Sequence, residues 1–176
     1  MSPGSFVRKY MEGTLLSLCC GIGVELRRLD ETQPITAVDI YEPYTKEFKK
    51  MFPWADVHTK DVLEFLKEAK DNSYDVISCM DGIEHLTKED GYTLLKEMKR
   101  VCSKKALIFT PDRHTKNEPK NTWDIPGGDH YQLHLSGWPP KDLEAEGFKL
   151  VHQQLAQSAH NEIFNESFYV YNKEQS

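Results

Sequence analysis

The 176-residue chain is long enough to close one apolar core and too short for two full domains. Its residues are 28% charged and 11% aromatic, and its longest apolar runs cover only a strand's length, which excludes a disordered chain and a membrane-spanning one. A formal charge of −6 gives no broad attraction to a phosphate backbone, so nucleic acid is a disfavoured partner.

The first segment, MSPGSFVRKYMEG, lacks the apolar stretch of roughly 7–15 residues and the small-residue cleavage site of a secretion leader, and a cytoplasmic protein is expected. Cysteines 19, 20, 79 and 102 have neither zinc-site spacing nor the density of a disulfide scaffold, and are read as reduced thiols. From about residue 13 to residue 112, strand-like and helix-like stretches alternate, the signature of a parallel sheet with crossover helices. Strands are predicted over Thr14–Cys19, Ile35–Ile40, Ala55–Thr59, Tyr74–Cys79 and Lys105–Thr110. Helices are predicted over Tyr44–Met51, which ends before Pro53, and over Val62–Ala69, with Leu63, Leu66 and Ala69 at helical spacing. A third, over 88–102, has Thr87 as its cap, Asp90 at the capping-box position and a stripe of Leu94, Leu95, Met98 and Val101. Pro139–Pro140 starts a helix that runs to Glu146 and stops at Gly147, and antiparallel strands over Phe148–Ala156 and Phe164–Asn172 finish the chain.

Residues 111–140 form the one long stretch without periodicity, carrying His114, His130, His134, Trp123 and Trp138. A loop of that length in a compact domain is commonly functional, and it is read as a substrate lid. His58, His152 and His160 belong to no constellation and read as surface or strand residues, and Trp54 reads as packing.

The ligand-binding signals lie at strand ends. Leu15 to Gly23 reads as a buried strand entering a tight turn, where glycine lets backbone approach a ligand. The third glycine of the dinucleotide fingerprint is missing, since Gly23 is followed by Val24-Glu25-Leu26, and this disfavours a nicotinamide or flavin oxidoreductase. Asp39, sixteen residues after Gly23, ends the second strand and can accept ribose hydroxyls; Asp61 ends the third and is explained equally well as a helix cap. All three elements sit where open α/β sheets bind ligands.

The segments LLSLCCGIG, AVDI, KDV, YDVISCMDGIEHL and KKALIFTP, with HLSGWPPKDLEAEGF further on, resemble the successive motifs of class I S-adenosylmethionine-dependent methyltransferases. The likeness is to small-molecule enzymes with a DxIEHL segment after the fourth strand. It implies a single α/β domain of Rossmann-like methyltransferase fold, with a mostly parallel twisted sheet, a C-terminal antiparallel strand pair and helices on both faces. It implies S-adenosylmethionine as cofactor, a small-molecule acceptor, and no membrane partner. The loop of Ser17, Cys19, Cys20, Gly21 and Gly23 would lie against the methionine part; Asp39 and Ile40 would meet the ribose. Asp61 and Val62 would flank the adenine, and Met80 would begin the passage from cofactor to substrate. Ser17 stands where the family usually has Asp or Glu, and Cys19 where it usually has glycine, so a non-catalytic cofactor-binding module is the alternative.

Asp81, His85 and His134 are the candidate catalytic residues, with Glu84 and His130 also expected near the methyl group. An imidazole titrating near neutrality suits deprotonation of a hydroxyl, while an amine needs only orienting groups. Asp81, Glu84 and His85 have i, i+3, i+4 spacing, and a lid histidine could complete a metal site. Because Glu-His at that place is widespread in the resembled family without metal, no metal is assigned. With so few residues ahead of the first strand, no helices are expected to roof the site, which leaves an open pocket, a partner subunit or the lid to cover it.

Overall fold

A computed structural model describes residues 1–157 and 161–173, so His160 lies outside the described residues. Seven strands form one sheet: β1 (Leu15–Leu18), β2 (Ile35–Asp39), β3 (Asp56–Thr59), β4 (Tyr74–Met80), β5 (Cys102–Pro111), β6 (Lys149–Gln157) and β7 (Ile163–Asn172). Their order is β3-β2-β1-β4-β5-β7-β6. The first five run parallel, and β7 pairs antiparallel with both β5 and β6. The strand order reverses beside β1, so the carboxyl ends of β1 and β4 open a crevice between them.

Alternation along the strands supplies two cores. Leu16, Leu18, Ile77, Cys79, Ala106 and Ile108 face one side, beneath α3 (Val62–Glu68), α4 (Lys88–Val101) and α5 (Pro140–Ala145). Leu15, Ile35, Ala37, Val76, Leu107 and Phe109 face the other, beneath α1 (Pro3–Tyr10) and α2 (Glu42–Met51). The helix ends follow their sequence signals. Thr87 Oγ1 accepts from the Asp90 amide and donates to the Asp90 carboxylate, and Gly147 takes φ +86 just past α5.

Three expectations change. A helix, α1, precedes the first strand: Ser2 caps it, Pro3 opens it, and it buries Phe6 and Val7. The fifth strand begins at Cys102, directly after α4, rather than at Lys105. Trp138 belongs to the core rather than a lid: it is fully buried, stacks edge-on to Tyr92, lies under the Lys88 ammonium and donates to Ser136.

Candidate active site

The turn after β1 is shaped by backbone that side chains seldom adopt. Cys19 and Gly21 both have φ +51, so Cys19 takes the left-handed conformation that a glycine would. Asp81, directly after β4, is also left-handed at φ +47. Two strained non-glycine residues thus end neighbouring central strands, as occurs at functional sites. The turns press together at Gly82, where an added Cβ would lie 2.7 Å from both Cys19 Cβ and Cys79 Sγ.

Asp39 ties this turn to β2. One of its oxygens accepts from the Gly21 amide at 2.8 Å and the other from the Tyr41 amide at 3.0 Å. A carboxylate has about four lone-pair sites, so two remain for donors from a ligand. Burial pushes the Asp39 carboxyl up from its ordinary range, and the Tyr41 and Gly21 amides pull it back. Asp61 caps α3 through the Leu63 and Glu64 amides, both on one oxygen.

These strand ends line a cavity of about 570 Å³. Of the residues singled out by sequence, Cys19, Cys20, Gly21, Asp39, Ile40, Asp61, Val62, Met80, Asp81, Glu84, His85, His130 and His134 all reach it. Ser17 and Gly23 do not: Ser17 is buried within β1, and Gly23 (φ +83) makes room for Phe48 and Phe52. His114 stays outside as well, exposed and paired with the His134 carbonyl. Among the described residues the lining includes six carboxylates, Glu25, Asp39, Asp61, Asp81, Glu84 and Glu166, and no lysine or arginine. Glu25 and Glu166 escaped the sequence reading. Glu25 follows the glycine turn by two residues, a weak signal, whereas Glu166 arrives on the antiparallel β7 with no local signal.

One wall holds the groups able to move or hold protons. Glu84 is buried and accepts from Thr110 Oγ1 at 2.9 Å. Burial pushes the Glu84 carboxyl up, while the nearby His134 and the Thr110 hydroxyl act the other way. Asp81 opens onto the cavity, yet the protein packed around the cavity floor and the Glu84 charge push its carboxyl well above the usual range. His85 Nδ1 lies 3.2 Å from the Leu133 carbonyl and His134 Nδ1 lies 2.9 Å from the Thr115 carbonyl. A carbonyl only accepts, so both rings carry hydrogen on Nδ1 and keep a lone pair on Nε2. Burial lowers both imidazole pKa values and so favours these neutral rings.

The segment over the cavity is held by its own bonds. Asn117 accepts from the His134 amide and donates to the Gln132 carbonyl, Tyr41 donates to the Pro126 carbonyl, and Trp123 packs edge-on to Tyr44 at 4.9 Å. Trp123 also sits on the glycine turn, with Cη2 2.6 Å from where a Gly21 Cβ would be.

An open sheet whose strand ends converge on a carboxylate-lined cavity defines an α/β ligand-binding domain of the Rossmann-like class. The chain belongs to the methyltransferase-domain family, whose model matches residues 15–105. No curated protein matches it in sequence. Among solved structures it is similar to an S-adenosylmethionine-dependent methyltransferase from Archaeoglobus fulgidus, at 20% identity over 97% of this chain and 92% of that one, with a TM-score of 0.66. It is also similar to magnesium protoporphyrin IX methyltransferase from Synechocystis with bound S-adenosylmethionine, at 14% identity, 96% and 76% coverage and a TM-score of 0.59. A third is phosphoethanolamine N-methyltransferase 2 from Haemonchus contortus, in complex with phosphomonomethylethanolamine and S-adenosylhomocysteine, at 15% identity, 98% and 52% coverage and a TM-score of 0.67. At such identities the likeness is one of fold, and the fold is the Rossmann-like methyltransferase fold. Among the described residues, no helix is long and apolar enough to cross a membrane.

Proposed function

We propose that the cavity binds S-adenosylmethionine and that the chain methylates a small-molecule oxygen or nitrogen, within the group of enzymes carrying a DxIEHL segment. The observation that carries this reading is a cavity at the ends of four parallel strands, lined by six carboxylates and no lysine or arginine. Such a lining suits a ligand bearing an ammonium and a sulfonium. The solved neighbours bound to S-adenosylmethionine or its product support the same cofactor. When bound, the cofactor supplies an electrophilic methyl group on sulfur for in-line displacement.

The chain's own residues bind and align. In this reading Cys19, Cys20 and Gly21 offer a backbone surface that Cys19 keeps in glycine-like shape, and Asp39 and Ile40 meet the ribose. Asp61 and Val62 flank the adenine, with Met80 between cofactor and acceptor. Asp81, His85 and His134 face the acceptor, and the two Nε2 lone pairs or the Asp81 carboxylate can take its proton. Residues 111–135 act as the lid, with Trp123 and Tyr131 against the cofactor side. Positioning supplies most of the effect, since methyl transfer needs no covalent enzyme intermediate.

The acidic lining also favours one class of acceptor. Among the described residues the lining offers an anionic acceptor six carboxylates and no lysine or arginine, so hydroxyl-bearing or amine-bearing acceptors without acidic groups are favoured, and nucleic acid is disfavoured. Radiolabelled cofactor tested against a metabolite panel should label alcohols, phenols or amines in preference to their phosphorylated or carboxylated counterparts. Preferential labelling of anionic acceptors would contradict the reading.

A further inference from the structure

We infer that Glu84, His85 and His134 form a binding site for a divalent first-row transition cation on the wall of the cavity. One ligand-capable atom from each residue lies within 4.8 Å of the other two. That is the spacing of groups that can share one ion, and two imidazoles with one carboxylate suit a borderline cation of the zinc, cobalt or manganese type.

The surrounding structure is what a metal site requires. Ligating histidines ordinarily donate their second ring N–H to a carbonyl or carboxylate, which fixes ring and tautomer. Here both do: His85 Nδ1 donates to the Leu133 carbonyl and His134 Nδ1 to the Thr115 carbonyl. The Thr115 hydroxyl lies 2.7 Å from the same His134 nitrogen. The Thr110 hydroxyl orients the Glu84 carboxylate in the same way. The pieces come from distant parts of the chain and are clamped together, because the Leu135 and Ser136 amides both donate to the Glu84 carbonyl, at 2.8 and 3.1 Å. The fold thus brings the three ligands together, and only a small inward adjustment is needed to reach metal-ligand bonds of about 2.1 Å.

Charge points the same way. Glu84 is 2% exposed, Asp81 lies beside it facing the cavity, and among the described residues no lysine or arginine lines that cavity. A cation at the three ligands would offset the Glu84 charge, with Asp81 close by. Resting on the methyltransferase reading, the consequence is an oxygen acceptor: with the cation bound, the two imidazoles serve as ligands in place of bases, and the cation would bind an acceptor hydroxyl and raise its acidity, leaving Asp81 to take the proton.

The test is a Co2+ titration of the full chain, stripped with chelator, followed by visible d–d absorption. One equivalent of Co2+ should give a saturable spectrum that Zn2+ displaces. His134→Gln and His85→Gln should each weaken Co2+ by roughly 100-fold, since loss of even an outer-shell partner costs about 10–100-fold. His58→Gln, on the outer strand β3, should bind as the parent does. Absence of a Co2+ spectrum in the parent, or equal binding by parent and His134→Gln, overturns the site. The titration contains no cofactor or acceptor, so its failure leaves the methyltransferase reading standing, and failure to bind S-adenosylhomocysteine leaves the cation site standing.

Discussion

Replacing Gly21 by alanine tests whether the segment over the cavity rests on the glycine turn. At φ +51 an alanine costs about 1–2 kcal/mol, offset in part by about 0.4–1 kcal/mol from a stiffer unfolded chain. Its Cβ would also lie 2.6 Å from Trp123 Cη2 and 3.0 Å from Cζ3, distances that require the indole to move. Moving it forfeits the edge-on contact with Tyr44, an aromatic pair of about 0.5–1.5 kcal/mol. Gly21→Ala should therefore destabilise the chain by about 1–2.5 kcal/mol, while in a Trp123→Ala background it should cost only the backbone part, about 0.5–1 kcal/mol. Urea unfolding followed by far-ultraviolet circular dichroism measures all four corners of the cycle. An equal cost of Gly21→Ala in both backgrounds would refute the contact between Trp123 and the turn.

In α4, alanine in place of glycine ordinarily gains up to about 1 kcal/mol, but at Gly91 the new Cβ would meet buried Trp138 at 2.2 Å. Gly91→Ala should destabilise by about 1–3 kcal/mol through overpacking, and a raised melting temperature would contradict this. Glu25 gives a pH signature, because burial first and the Glu166 charge second hold its carboxyl above its ordinary value of 4.5. The folded chain keeps that proton to higher pH than the unfolded chain, so this group's contribution is fullest below 4.5 and declines as pH rises through the raised pKa. Glu25→Gln should remove the decline, so the variant gains on the parent across that window in denaturant titrations; a pH-independent difference would count against it.

The sheet was legible because its signals are local. Buried runs such as Leu15–Leu18 and Val76–Met80 leave no alternative to central strands, and Thr87, Asp90 and Gly147 mark helix ends by hydrogen bonds that form within a turn. Helix α1 escaped because it is short and contains Gly4 and Ser5, and its stability comes from packing Phe6 against Phe168, far away in sequence. Trp138 was misplaced for the same reason: its partners Tyr92 and Lys88 are on α4, and nothing near it in sequence shows that it is buried. In the site, Gly21, Asp39 and Asp61 were readable from strand-end position, and Met80 and Ile40 from family resemblance, while Ser17 and Gly23 lie off the cavity. The tautomers of His85 and His134 were not, because each is set by a carbonyl brought from elsewhere by the fold. The absence of positive charge from the cavity could not be seen in a chain with 22 lysines and arginines, since it depends on where they point.

The proposed function requires the strand ends to hold an adenosyl ligand bearing sulfur. Unfolding with and without S-adenosylhomocysteine tests it directly: ligand at 100 times its dissociation constant should add about 2.7 kcal/mol to stability. A melting temperature unchanged by saturating S-adenosylhomocysteine would contradict binding there.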